Sequence, residues 1–198
     1  MIKYYVRTTG ERKLHESYNQ IEYELLIDKE HKPVVSFINQ LKYISQYDSV
    51  LLEDDLILCK DFKYRIEKAI RQYKKHLINF YCEPHLWFTT HTTLGVFRCN
   101  QCTYYPKGLS LEIANAMNEL NDNKSQYDLI EHWALQTLKI PHVKYRPMLI
   151  QHIGEKSLLN NHYHKTPYFI DYLKELNIDY KEAYKDKNKA KLMAIIQD

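Results

Sequence analysis

Short apolar runs rich in β-forming residues alternate along this chain with longer segments whose apolar residues recur at helical spacing. This alternation limits the fold more than any other feature, because it is typical of α/β proteins in which helices cover a central sheet. The runs predicted as strands are Ile2–Val6, Tyr23–Ile27, Val50–Leu52, Leu77–Tyr81, Leu94–Arg98 and Lys144–Gln151. The chain has 198 residues and no linker or repeat before its C-terminal tail, which fits a single domain.

The helical segments each have an apolar face and a favourable first residue. Proline suits the first turn of a helix, and aspartate and serine are favoured where a helix begins. The predicted helices begin at Pro33, Asp61, Ser110, Asp128, Thr166–Pro167 and Asp179. Sheets of this kind bind ligands at the carboxyl ends of their strands, so the residues that follow each strand are the first candidates for a site.

Three consecutive carboxylates, Glu53, Asp54 and Asp55, follow the strand Val50–Leu52 directly. Adjacent like charges repel, and removing them from water is costly, so a bound cation would stabilise them. Oxygen ligands of this kind suit Mg²⁺ or Mn²⁺, which also hold substrate phosphates. The alternative is an acidic turn that only solvates the strand end. The apolar run Leu56–Leu58 follows at once and favours a site.

The triplet resembles the D-x-D-like motif of GT-A glycosyltransferases, with Glu53 where that motif has its first aspartate. Downstream, Asp128 opens a helix, and a proline-containing strand leads to Gln151-His152-Ile153-Gly154 and Ser157. These two motifs, in this order, resemble the end of the catalytic domain in the group of N-acetylglucosaminyltransferase IV. The resemblance covers roughly residues 45–160.

The resemblance implies a GT-A-like, Rossmann-like three-layer sandwich with a mixed central sheet. We expect residues 1–165 to form this catalytic domain and residues 166–198 to form a helical, lysine-rich extension on the same domain.

The resemblance also implies a metal site, with Asp55 and His152 as ligands of Mn²⁺ or Mg²⁺. Glu53 and Asp54 would then contact the donor ribose or the water shell of the metal. A neutral imidazole at a strand end is a suitable ligand. The alternative for His152 is a histidine that only packs in the core or at its rim.

An inverting transfer needs a carboxylate that accepts the proton of the attacking hydroxyl, and the resemblance implies Asp128 for this role. Asp128-x-x-Glu131 is also a reasonable capping box, and the two roles are compatible. Glu131 is the alternative base.

The remaining predicted donor contacts lie in two loops. Thr8, Thr9 and Arg12 follow the first strand, where GT-A enzymes hold the nucleotide; an ordinary turn at Gly10 is the alternative. After Gly154, which allows close backbone approach, Lys156 and Ser157 are predicted to contact the diphosphate.

The predicted function is a metal-dependent inverting glycosyltransferase that uses a nucleotide diphosphate sugar, with a UDP-sugar as the expected donor. The expected acceptor is a hydroxymethylated base in phage DNA or a bacterial surface glycan. The lysines at 181, 185, 187, 189 and 191 favour DNA over a glycan, although a solvated helix face is the simpler interpretation. The alternatives are a metal-dependent nucleotidyltransferase and a non-catalytic nucleotide-sugar-binding module.

The sequence has no apolar stretch long enough to cross a bilayer and no signal-peptide core. We therefore expect no membrane partner, a cytoplasmic protein in a bacterium or in the host of a phage, and reduced cysteines. We expect a monomer or a small homo-oligomer. Cys99 and Cys102 have zinc-ligand spacing, but the sequence has no second pair, so we expect packing rather than a zinc site.

Overall fold

The computed structural model describes residues 1–29, 31–81, 90–122, 124–153, 166, 168–179, 182–183 and 188. These residues form an α/β structure with a seven-stranded mixed sheet, a two-stranded ribbon, five α-helices and one 3-10 helix, Glu16–Gln20. The strands are β1 (Ile2–Thr8), β2 (Tyr23–Ile27), β3 (Asp48–Glu53), β4 (Leu56–Leu58), β5 (Leu77–Asn79), β6 (His91–Thr93), β7 (Cys102–Tyr105), β8 (His142–Lys144) and β9 (Ile150–His152). The α-helices are α1 (Pro33–Ile44), α2 (Phe62–Gln72), α3 (Leu109–Leu120), α4 (Tyr127–Thr137) and α5 (Ile170–Glu175).

The large sheet has the strand order β2-β1-β3-β7-β5-β8-β6. Strand β1 is parallel to β2 and β3, and β5 is parallel to β8. Strand β7 runs antiparallel between β3 and β5, and β6 is antiparallel to β8. The predicted mixed sheet is therefore confirmed. Strands β4 and β9 form a separate antiparallel ribbon.

Helices cover both faces of the sheet, which makes three layers. Alternate residues of a strand point to opposite faces. In β1, Tyr4 and Val6 pack with the buried face of α2, whereas Tyr5 packs with residues of α1, α3 and α4. The α/β class with helices on both faces matches the expectation, and membership of the GT-A group stays a proposal.

The structure corrects two helix starts. Helix α1 begins at Pro33 as predicted, and Asp61 does precede α2, although its side chain makes no capping hydrogen bond. The prediction that Ser110 caps a helix is wrong, because Gly108 precedes α3 and Ser110 is buried within it. Gly108 has φ +87°, a backbone conformation that glycine adopts without strain. The helix begins directly after it, so its capping residue lies two positions before the predicted one. Helix α5 begins at Ile170, later than predicted.

The later strands also differ from the prediction. Residues 94–98 form no strand; Leu94 and Val96 are exposed and Phe97 alone enters the core. The predicted strand Lys144–Gln151 is two strands, β8 and β9, separated by a segment with Pro147, which has no N–H for a sheet. No helix among the described residues is long and apolar enough to cross a membrane. The five lysines of the C-terminal tail lie outside the described residues.

Candidate active site

A cavity of about 410 Å³ lies at the carboxyl ends of β1 and β3. Eight of the ten predicted site residues line it: Thr8, Thr9, Arg12, Glu53, Asp54, Asp55, Asp128 and His152. The other two, Lys156 and Ser157, lie outside the described residues. The structure therefore brings together residues from four separate parts of the chain. A larger cavity, about 740 Å³, lies at the opposite ends of these strands, where α/β sheets do not usually bind ligands.

The β4–β9 ribbon explains how residues nearly a hundred positions apart meet. The chain bends at Asp54-Asp55 as it leaves β3 and then enters β4. In the ribbon, Leu56 lies opposite His152, and the N–H of Ile153 donates to the carbonyl of Asp55 at 2.9 Å. This register places the imidazole of His152 beside the carboxylate of Asp55.

Asp55 lies at the centre of the polar contacts. Its Oδ2 is 3.1 Å from Nε2 of His152 and accepts a hydrogen bond from the guanidinium of Arg12. Burial would raise the pKa of the Asp55 carboxyl, but the hydrogen bond and charge of His152, followed by Arg12, lower it overall. Its Oδ1 is buried without a hydrogen-bond partner. The carboxylate is thus ionised, with one oxygen still available.

The spacing of Asp55 and His152 can be compared with that of two ligands of a divalent cation. Two ligands at right angles, with bonds of about 2.1 Å, lie about 3.0 Å apart, close to the observed 3.1 Å between Oδ2 and Nε2. A carboxylate and an imidazole together suit Mn²⁺. Among the described residues no group of three or more His, Cys, Asp or Glu side chains is arranged to hold a metal. A cation here would therefore need substrate phosphate and water as further ligands, as Mg²⁺ commonly does.

Asp54 is fixed by the loop after β1. Its Oδ2 accepts a hydrogen bond of 2.5 Å from the hydroxyl of Thr8, and Arg12 lies 3.7 Å from its Oδ1. Thr8 Oγ1 also accepts from the N–H of Gly10, which has φ +84°. The Thr8 hydroxyl, predicted to contact the nucleotide, therefore positions Asp54 in this conformation.

Glu53 faces inward and links β3 to α4. Its Oε1 accepts a 2.6 Å hydrogen bond from the Tyr127 hydroxyl and lies 3.8 Å from Nη1 of Arg7. The Arg7 guanidinium lies over the rings of Phe37 and Tyr127, with its carbon 4.7 and 4.2 Å from the ring centroids. Burial raises the pKa of Glu53, and the charge of Arg7 opposes this. Arg7 and Tyr127 were not predicted from the sequence as residues of the site. The signal that could have identified Arg7 is its position as a cation near the end of an apolar strand.

Asp128 is the second residue of α4, at the rim of the cavity, where its Oδ1 accepts from the N–H of Leu129 at 2.8 Å. The capping-box interpretation is wrong, because Gln126 precedes the helix and Glu131 is fully buried. The carboxylate of Glu131 accepts from Asn100 at 2.5 Å and from Tyr105 at 2.7 Å. Since Glu131 does not line the cavity, we assign it no proton transfer.

The cysteine pair is split between two environments. Cys102 is buried in β7, where burial raises its thiol pKa well above the usual value, and Cys99 is partly exposed at the cavity. The arrangement fits packing.

The sequence matches no protein-family model and no curated protein.

Proposed function

We propose that this protein is a metal-dependent inverting glycosyltransferase that moves a sugar from a nucleotide diphosphate, with a UDP-sugar as the first candidate donor, to an acceptor hydroxyl. The observation that carries the proposal is the pair Asp55 and His152, 3.1 Å apart in a cavity that Asp128 also lines. An acid–imidazole pair and a separate carboxylate at one strand edge supply the two functions that such a transfer requires.

On the donor side, Asp55 and His152 would hold the cation, with the free Oδ1 of Asp55 as a further ligand atom. The cation, when bound, would neutralise charge on the leaving diphosphate. Arg12, whose side chain is 34% exposed, can turn from Asp55 to a phosphate oxygen without a large change in the backbone. Asp54 and Thr8 would hold the loop after β1 against the donor.

On the acceptor side, Asp128 would accept the proton of the attacking hydroxyl. The acceptor oxygen forms a bond to the anomeric carbon on one face while the bond from that carbon to the diphosphate oxygen breaks on the other. This sequence inverts the anomeric centre and leaves the nucleotide diphosphate as product. We propose a hydroxymethylated base of DNA or a surface glycan as the acceptor.

The first test is thermal unfolding with UDP-glucose, UDP-N-acetylglucosamine and Mn²⁺, each alone and together. We expect donor and cation together to raise the melting temperature more than the sum of the two alone. Ligand at a hundred times its dissociation constant stabilises by about 2.7 kcal/mol. For a chain of this size that is an increase of roughly 5–10 °C. Asp55→Asn should lose this coupling, because it removes charge from the predicted ligand.

The matched control is Glu119→Gln, which removes one exposed carboxylate from α3, away from the cavity. It should keep the coupled increase. Coupling that survives Asp55→Asn would contradict the proposed cation site. Transfer of a nucleotidyl group from nucleoside triphosphates, in place of sugar transfer, would contradict the reaction.

A further inference from the structure

The positive charge of the chain is concentrated in residues 60–75. This segment contains seven basic and two acidic residues, an excess of five, whereas the whole chain has an excess of three. The rest of the chain is therefore slightly negative as a whole. Such asymmetry is typical of a surface that contacts a polyanion.

Helix α2 presents this charge to solvent. Its apolar side is buried against the sheet, with Phe62, Ile66, Ala69 and Ile70 at most 3% exposed. Lys63, Lys68 and Arg71 of the helix are exposed, as are Lys60 before it and Lys74 and Lys75 after it, and we name these six residues the basic face of α2. The packing of the apolar side fixes the direction in which this face points.

Neither acid of the segment forms an ion pair with the basic face. Asp61 lies 3.8 Å from Arg65, which is a seventh cation outside the basic face. Glu67 accepts a hydrogen bond of 3.3 Å from the Tyr4 hydroxyl. Among the described residues, none of the six cations of the basic face lies within 4.0 Å of an acidic oxygen. Their charge is thus available to a partner.

We propose that the basic face of α2 binds the phosphate backbone of a duplex nucleic acid. Lys63 and Arg71 are eight residues apart, which is about 12 Å along a helix. Duplex DNA carries one charge per about 1.7 Å of its axis, so one duplex offers phosphates to the whole face. Tyr64, 63% exposed, adds a hydroxyl donor beside these cations.

A membrane surface fits this face less well than a nucleic acid does. Helices that lie in a membrane interface insert an apolar side among the lipids. The apolar side of α2 is already occupied by the sheet, so the helix offers charge without an insertable surface.

Most of this face lies away from the candidate site. Lys60 follows Asp55 by five residues, a chain length that spans at most about 18 Å, but Lys63, Arg71 and Lys74 line the larger cavity at the opposite ends of β1 and β3. Binding of a duplex by this face therefore does not rest on the proposed glycosyltransferase.

The test is fluorescence anisotropy with a labelled duplex of about 20 base pairs, without donor or metal, at several salt concentrations between about 50 and 200 mM. The variant Lys63→Gln/Lys68→Gln/Arg71→Gln should bind at least about tenfold more weakly. The slope of log affinity against log salt should fall in magnitude by about 3, since each lost phosphate contact contributes about 0.9.

The matched control is Lys107→Gln/Lys124→Gln/Lys139→Gln, three exposed lysines that flank α3 and α4 on the other side of the sheet. It removes the same charge and should change affinity less than about twofold. Equal losses in both variants, no binding by the unmodified protein at about 50 mM salt, or binding to anionic phosphatidylserine vesicles in place of the duplex would each overturn the proposal. Duplex binding through α2 in a protein that transfers no sugar would support this inference and contradict the proposed enzyme.

Discussion

Glu131 is a fully buried carboxyl whose protonation couples folding to pH. Burial raises its pKa to about 7, although hydrogen bonds from Tyr105 and Asn100 oppose this. The unfolded chain would ionise it near pH 4.5. Because the folded pKa is the higher one, the stability that neutral Glu131 contributes is complete below about pH 4.5 and is lost as the pH rises through about 7.

We therefore predict that Glu131→Gln flattens the dependence of stability on pH. Between pH 5 and pH 8, the unmodified protein should lose about 3 kcal/mol relative to the variant, an order-of-magnitude value from the difference of the two pKa values. Urea unfolding at several pH values measures this. Glu119→Gln, at an exposed site, should keep the pH dependence of stability of the unmodified protein. If Glu131→Gln showed the same pH dependence as Glu119→Gln, the assignment of this dependence to Glu131 would be contradicted.

Tyr127 connects the acidic end of β3 with the first turn of α4. We predict that Tyr127→Phe, which removes the hydroxyl donor to Glu53 and keeps the ring, lowers the free energy of unfolding by about 2 kcal/mol. The measurement is again urea unfolding. Tyr43→Phe is the control, because its hydroxyl also donates to a glutamate, Glu24, at the same 2.6 Å but at an exposed site. Tyr43→Phe should lower the free energy of unfolding by less than about 0.5 kcal/mol. Equal losses in the two variants would show that burial does not strengthen the hydrogen bond between Tyr127 and Glu53.

Among individual residues, the acidic residues of the cavity could be predicted from the sequence, whereas the side chains that contact Glu53 could not. The three carboxylates after Leu52 stand out because charge follows an apolar run directly. Arg7 and Tyr127 do not stand out, because an arginine in a strand or a tyrosine at a helix start has many ordinary explanations. Their part becomes visible only when the chain brings both within reach of Glu53.

Among the elements, β2 is one of the two edge strands of the large sheet in the part of the chain that is described, and β6 is the other. Its residues Tyr23, Leu25 and Ile27 are 38–47% exposed and lie on one face of the strand. An apolar, unpaired strand edge is a site where further chains can add.

We predict that Leu25→Lys lowers self-association on heating and leaves the free energy of unfolding within about 0.5 kcal/mol, because an exposed charge obstructs edge pairing. Light scattering during a thermal ramp measures this. Val35→Lys, a similarly exposed position on α1, makes the same change away from the edge and should have little effect on association. If Leu25→Lys and Val35→Lys lower self-association equally, the added charge explains the effect and the strand edge does not.

The elements predicted correctly from sequence are those with simple apolar patterns. Strand β2 has the predicted limits, and β1 and β3 contain the predicted runs. Strand β7 was missed, because Cys102–Tyr105 mixes cysteine, threonine and tyrosine and its burial on both faces depends on neighbours distant in sequence. The run Leu94–Arg98 has a strand-like composition, but it lies outside the sheet.

At the scale of the whole molecule, periodicity predicts three layers but not the order of strands. The antiparallel insertion of β7 between β3 and β5 has no local signal, since strand neighbours are chosen by packing across the sheet. The meeting of Asp55 with His152 was expected from a resemblance of motifs, because spacing along the chain contains no information about the β4–β9 register.

The β4–β9 ribbon has a consequence for how the molecule matures. Joining two segments nearly a hundred residues apart closes a loop whose entropic cost is of order 4 kcal/mol, and three paired residues recover little of it by themselves. The ribbon must therefore rely on the sheet and helices that assemble between its two strands. Fragments that end before residue 150, including a nascent chain still on the ribosome, lack the imidazole side of the cavity. The cavity would thus be completed as a late event, after the bulk of the polypeptide has collapsed.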